Sequence, residues 1–78
     1  MPRYFFNQAD GEIEMDRLGR ELAGPAEARA ALIIYAARLV MEMGENFWNS
    51  TEWEAWVTDE DGAQVCAVTL RPSGSKLH

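Results

Sequence analysis

Pro25-Ala-Glu-Ala-Arg-Ala-Ala-Leu-Ile-Ile-Tyr-Ala-Ala-Arg-Leu-Val-Met-Glu-Met43 decides the fold. The stretch is built from Ala, Leu, Ile, Arg, Met and Glu, with no glycine or proline after its first residue, and Gly44 follows as a natural stop. Proline suits the first turn of a helix, where its missing N–H has no partner to lose. One long helix is therefore predicted from Pro25 to about Met43. At about 100° per residue, Leu32, Ile33, Ala36, Leu39, Val40 and Met43 gather on one face, and Glu27, Arg38, Glu42 and Glu45 on the opposite one. Ile34 and Met41 fall beside the charged stripe, so the apolar arc is wider than one sheet face needs.

On either side of this helix the sequence changes to strand chemistry. Tyr4-Phe5-Phe6 is aromatic and runs into Asp10-Gly11, a turn signal. Glu12-Ile13-Glu14-Met15-Asp16 alternates strictly, which predicts a short strand with Ile13 and Met15 facing a core and the three acids facing water. Beyond the helix, Thr51 to Thr58 alternates with Trp53, Ala55 and Val57 on one face and Glu52, Glu54, Trp56 and Thr58 on the other. Asp59-Glu60-Asp61-Gly62 turns the chain, and Ala63 to Leu70 returns with Cys66, Val68 and Leu70 on one face. Phe47 and Trp48, in the connector after Gly44, are expected to fold back over the edge of the core. The fold class is α+β: a β-β-α-β-β order giving a four-stranded antiparallel sheet with one long helix on one face. A single domain is expected over 1–71, with a flexible tail over 72–78.

With 78 residues the chain has material for one core. Such a core supplies only about 3–5 kcal/mol without a disulfide, metal or partner subunit. Cys66 is the only cysteine and His78 the only histidine, which excludes an internal disulfide and disfavours structural zinc. A second subunit is the remaining staple. Thirteen acidic against seven basic residues, a net charge of −6, repel phosphate backbones and anionic membranes. The opening residues lack the apolar core of a secretory signal, and Ala30 to Ala37 is too short to span a bilayer, so the cytoplasm is the expected location.

Catalytic signatures are sparse. Asp59, Glu60, Asp61 and Gly62 have the composition of a calcium loop, but Ala63-Gln64-Val65-Cys66 follows where ligands would be needed, and a hairpin turn is the reading adopted. Glu12, Glu14 and Asp16 read as a solvated acidic stripe. No nucleophile lies beside a base, and the glycines are scattered singly instead of forming a phosphate cradle. No catalytic residue, metal site or cofactor is assigned.

The opening Met1-Pro2-Arg3-Tyr4-Phe5-Phe6 with Asp10-Gly11, then Asp16, Gly19, Glu21-Leu22, Ala28-Arg29 and Thr58-Asp59-Glu60-Asp61-Gly62, resembles a family of short uncharacterised bacterial proteins over nearly the whole chain. The resemblance implies a stand-alone cytoplasmic domain of unknown function and transfers no activity, cofactor or catalytic residue. Members often carry a histidine or another polar residue where this chain has Asn7, and Ile33, Ile34 and Met41 make this helix more apolar than the resemblance leads one to expect.

The leading functional expectation is a non-enzymatic interaction module, a homodimer that uses Ile34, Arg38, Met41 and Trp56 for contact. Two alternatives stand beside it. One is an antitoxin-like partner that masks a basic protein. The other is a small-ligand binder or enzyme with its site between subunits, lined by Tyr4, Tyr35, Arg29, Arg38 and acidic groups.

Overall fold

The helix spans Pro25–Met43, as its composition predicts, in the computed structural model, which describes residues 1–73. In chain order the elements are β1 (Arg3–Ala9), β2 (Ile13–Glu14), β3 (Arg20–Glu21), the helix α1, a 3-10 turn (Gly44–Asn49), β4 (Trp53–Thr58) and β5 (Gln64–Leu70). The expected tail lies, from residue 74 onward, outside the described residues. No helix among the described residues is long and apolar enough to cross a membrane.

The sheet is antiparallel, with order β2-β1-β4-β5 and β3 attached to β1. It thus has five strands where four were predicted, because Arg20 and Glu21 pair with Tyr4 and Arg3. One side of the sheet packs on α1. Trp53, Ala55 and Val57 of β4 are buried there with Tyr4 and Phe6 of β1 and Ala28, Leu32 and Ala36 of α1. Alternation placed the β4 residues correctly, since successive side chains leave a strand on opposite faces. Cys66, Val68 and Leu70 of β5 pack against the margin of this core.

Ile13 and Met15 do not face the core. They are 68% and 55% exposed, because β2 ends at Glu14, before Met15, and its register sets Ile13 opposite Ala9, on the sheet face away from α1. Asp16 leaves the strand altogether, which breaks up the expected acidic stripe. The helix is also rotated from the expected face. Ala28, Leu32 and Ala36 form its buried line, and Ile33 is 64% exposed. This line shares the buried core with Ala55 of β4, and the seating leaves Ile33 on the flank. Phe47 and Trp48 do not cover the core. They meet each other edge to face at 5.9 Å between ring centroids, and Trp48 is exposed.

Gly19 is fixed by two conditions at once. Its φ is +67°, and a Cβ there would lie 2.8 Å from the carbonyl oxygen of Tyr4. At Gly19, where the chain enters β3, the backbone passes too close to β1 for a side chain. Gly19→Ala is expected to lower stability by about 2 kcal/mol, measured by urea denaturation. An unchanged denaturation midpoint would show that this turn accommodates a Cβ without loss.

Candidate functional site

Concavities of different chemistry lie on either flank of α1. The first lies between α1 and the β1 edge, about 280 Å³ in volume, lined by Phe6, Gln8, Glu14, Met15, Asp16, Arg20 and Tyr35. Its polar groups hold structure. Asp16 is the hub: Oδ2 accepts the N–H of Phe6 at 3.0 Å, and Oδ1 accepts those of Leu18 and Gly19 at 3.0 and 3.1 Å. The N–H of Asp16 in turn donates to Oδ1 of Asn7 at 2.9 Å. Asn7 is fully buried, and its Nδ2 donates to the Phe5 carbonyl and the Thr58 hydroxyl, both at 3.4 Å.

Desolvation works against the charged form of Asp16, but the N–H donors of Phe6, Gly19 and Leu18, aided by the charge of Arg20, outweigh it and hold the carboxyl below its ordinary range. Tyr35 moves the other way. Burial, then the charges of Asp16 and Glu14, push its phenol up, with Arg20 opposing them, so the hydroxyl stays protonated. It donates to the Phe6 carbonyl at 3.5 Å. The Arg20 guanidinium carbon lies 4.4 Å from the centre of the Phe6 ring, in cation–π geometry. Gln8 donates to Glu14 at 2.8 Å and accepts from the Trp53 indole at 3.2 Å. These contacts brace the β1 edge, and none places a nucleophile against a base.

The second concavity is apolar. A groove of about 470 Å³ runs along the other flank of α1, lined by Ile33, Ala36, Ala37, Val40, Met41, Val68 and Leu70. Met41 is 79% exposed at its rim, and Arg38 and Glu42 stand next to it around a shallower hollow. Of the residues singled out from sequence, Met41 thus lines the groove and Arg38 borders it. Ile34 is 55% exposed on the same helix but is not part of the lining. Trp56 lies elsewhere: its register partners are Asn7 and Ala67, on the sheet face away from α1, and it is half-buried.

Sequence reasoning missed the contributions of Val68 and Leu70 to the groove, because they come from another element and only the packing of α1 against β5 brings them there. It also missed the Asn7–Asp16 pair. A signal existed in Asp16-Arg17-Leu18-Gly19, since an Asp whose carboxylate takes the N–H groups two and three residues on, closed by a glycine, is a turn signature. Among the described residues no three His, Cys, Asp or Glu side chains come together as a metal-ligand set. Cys66 is half-buried, and burial pushes its thiol up against the opposing charge of Arg29, which keeps it in the unreactive protonated form. Asp59 is spent on the β4–β5 turn, where its carboxylate accepts the N–H groups of Asp61 and Ala63 at 2.9 Å each.

The family model described as a domain of unknown function (DUF6894) matches residues 3–71 of the chain. No curated protein and no solved structure matches it.

Proposed function

We propose, for a chain that belongs to the DUF6894 family and inherits no activity from it, a function carried by its surface: a non-enzymatic interaction module that self-associates. The observation that carries this reading is the apolar groove of Ile33, Ala36, Ala37, Val40, Met41, Val68 and Leu70. Exposed apolar surface this continuous on a small domain is costly to leave in water. Its burial between subunits supplies the staple that a core of eight buried apolar side chains among the described residues lacks. Arg38 and Glu42 at the rim give the contact a charged border around a dry centre, the usual anatomy of a protein interface. Trp56, on the far face of the sheet, is a second contact site in this reading. A single cysteine, Cys66, supports a reducing cytoplasm as the working compartment.

Light scattering across a dilution series tests the proposal. The wild type is expected to be a dimer that dissociates on dilution. Met41→Glu and Ile33→Glu, which bring a carboxylate to the groove, are expected to weaken dimerisation about 10- to 100-fold. Ile34→Glu, outside the groove, is expected to weaken it less. A wild type that is monomeric at every concentration overturns self-association.

A further inference from the structure

The sheet is closed along one side and open along the other. On the outer side of β1 the backbone is covered from end to end: β3 pairs with Arg3 and Tyr4, Asp16 takes the N–H of Phe6, and β2 pairs with Gln8 and Ala9. β5 has β4 on one side and, among the described residues, no strand on the other.

The direction of the β5 backbone groups follows from the register. Phe6 turns its N–H away from β4 to reach Asp16, so Phe6 and Val57 form a pair without mutual hydrogen bonds. Hydrogen-bonded and non-hydrogen-bonded pairs alternate along an antiparallel ladder, and each residue's N–H and C=O point to the same side. Val57 therefore bonds Cys66, and Ala55 bonds Val68. Ala67 and Thr69, opposite Trp56 and Glu54, turn their N–H and C=O groups to the open edge.

Strands left at an edge usually carry a lysine, a proline or an inward charge against pairing with other chains. Gln64-Val65-Cys66-Ala67-Val68-Thr69-Leu70 carries none of these. The irregularity in β5 lies at its start, between the Thr58–Gln64 and Val57–Cys66 pairs, and leaves the rest of the ladder regular. The open edge is also continuous with the apolar groove, because Val68 and Leu70 belong to both. An occupant must then offer a strand edge and an apolar helix flank side by side. The chain itself offers that combination, and a two-fold axis satisfies both needs of both copies at once. Charge favours the same occupant: in a chain of net charge −6, this strand has no acid and the adjoining rim balances Glu42 with Arg38, so pairing β5 with its copy sets no acid of the strand against another.

We infer that β5 pairs antiparallel with β5 of a second copy, centred on Ala67, to make one continuous sheet with the two α1 helices side by side on the same face. This rests on the self-association reading above and specifies its geometry. Centring on Ala67 sets Val65 opposite Thr69 and Cys66 opposite Val68 of the second copy, so the whole strand is used.

Amide hydrogen exchange read by NMR at a concentration where the wild type is dimeric tests the pairing. The Ala67 and Thr69 amides are expected to exchange at least about tenfold more slowly than in monomeric Met41→Glu, approaching the Cys66 and Val68 amides held by β4. Ala67→Pro removes one outward N–H and leaves the β4 ladder intact, so it is expected to be a folded monomer by light scattering and far-UV circular dichroism. A dimer whose Ala67 and Thr69 amides exchange as fast as in the monomer overturns the β5 pairing and leaves self-association through the helix flank standing. A wild type that never dimerises overturns both. Should Ala67→Pro fail to fold, the exchange measurement on the wild type decides alone.

Discussion

Trp53→Ala is expected to lower stability by about 3–5 kcal/mol, comparable to everything a core of this size supplies, and so to leave much of the chain unfolded at room temperature. Trp53 is 1% exposed, the largest fully buried side chain, and begins β4 opposite Leu70. Its truncation removes the largest side chain of the core between the sheet and α1, and it also strands Gln8 Oε1, the acceptor of the indole N–H at 3.2 Å. The core around it is rich in alanine, with Ala36 and Ala55 among its members, and side chains that short close little of such a gap. Trp48→Ala is the control. Trp48 is 57% exposed on the 3-10 turn, and its loss is expected to change stability by about 0.5 kcal/mol or less. Circular dichroism through a urea titration measures both. Equal losses for the two variants would contradict the core assignment.

The same core explains which parts of the fold were legible in the sequence. The ends of α1 are written locally, in Pro25 and Gly44, and the β4 face is written in the alternation of Trp53, Ala55 and Val57. Alternation states which residues share a face, however, and not whether another layer covers that face. Ile13 and Met15 alternate with acids, yet β2 ends at Glu14 and sets Ile13 opposite Ala9 at the far end of β1, so both meet water. β3 has only Arg20 and Glu21 and exists because β1 offers them partners, which no local propensity encodes. In the same way, the width of the apolar arc on α1 was legible and pointed to Met41. Which flank stayed open depended on how the alanines seat the helix, and that placed Ile33 in the groove and left Ile34 outside it.

Asp16→Ala is expected to cost about 3 kcal/mol, the second-largest effect, because a carboxylate that accepts from the N–H groups of Phe6, Leu18 and Gly19 organises the gap between β2 and β3 along β1. Part of the loss is recovered by water at the exposed Leu18 amide, which keeps the figure below the sum of the separate bonds. Asp16→Asn retains an acceptor of similar shape without the charge and is expected to cost about half as much. The pH dependence separates charge from shape. The Asp16 carboxyl sits below its ordinary value of 3.8 in the folded chain, so the unfolded chain takes up its proton first as acid is added. The stabilisation from this carboxylate is therefore complete above the unfolded value and is lost as the pH falls through the folded one. The difference in stability between wild type and Asp16→Ala, from urea titrations at successive pH values, should be flat near neutrality and shrink below about pH 4. A difference that holds constant into strong acid would mean that Asp16 works through its shape, and that the backbone donors around it do not select its charged form.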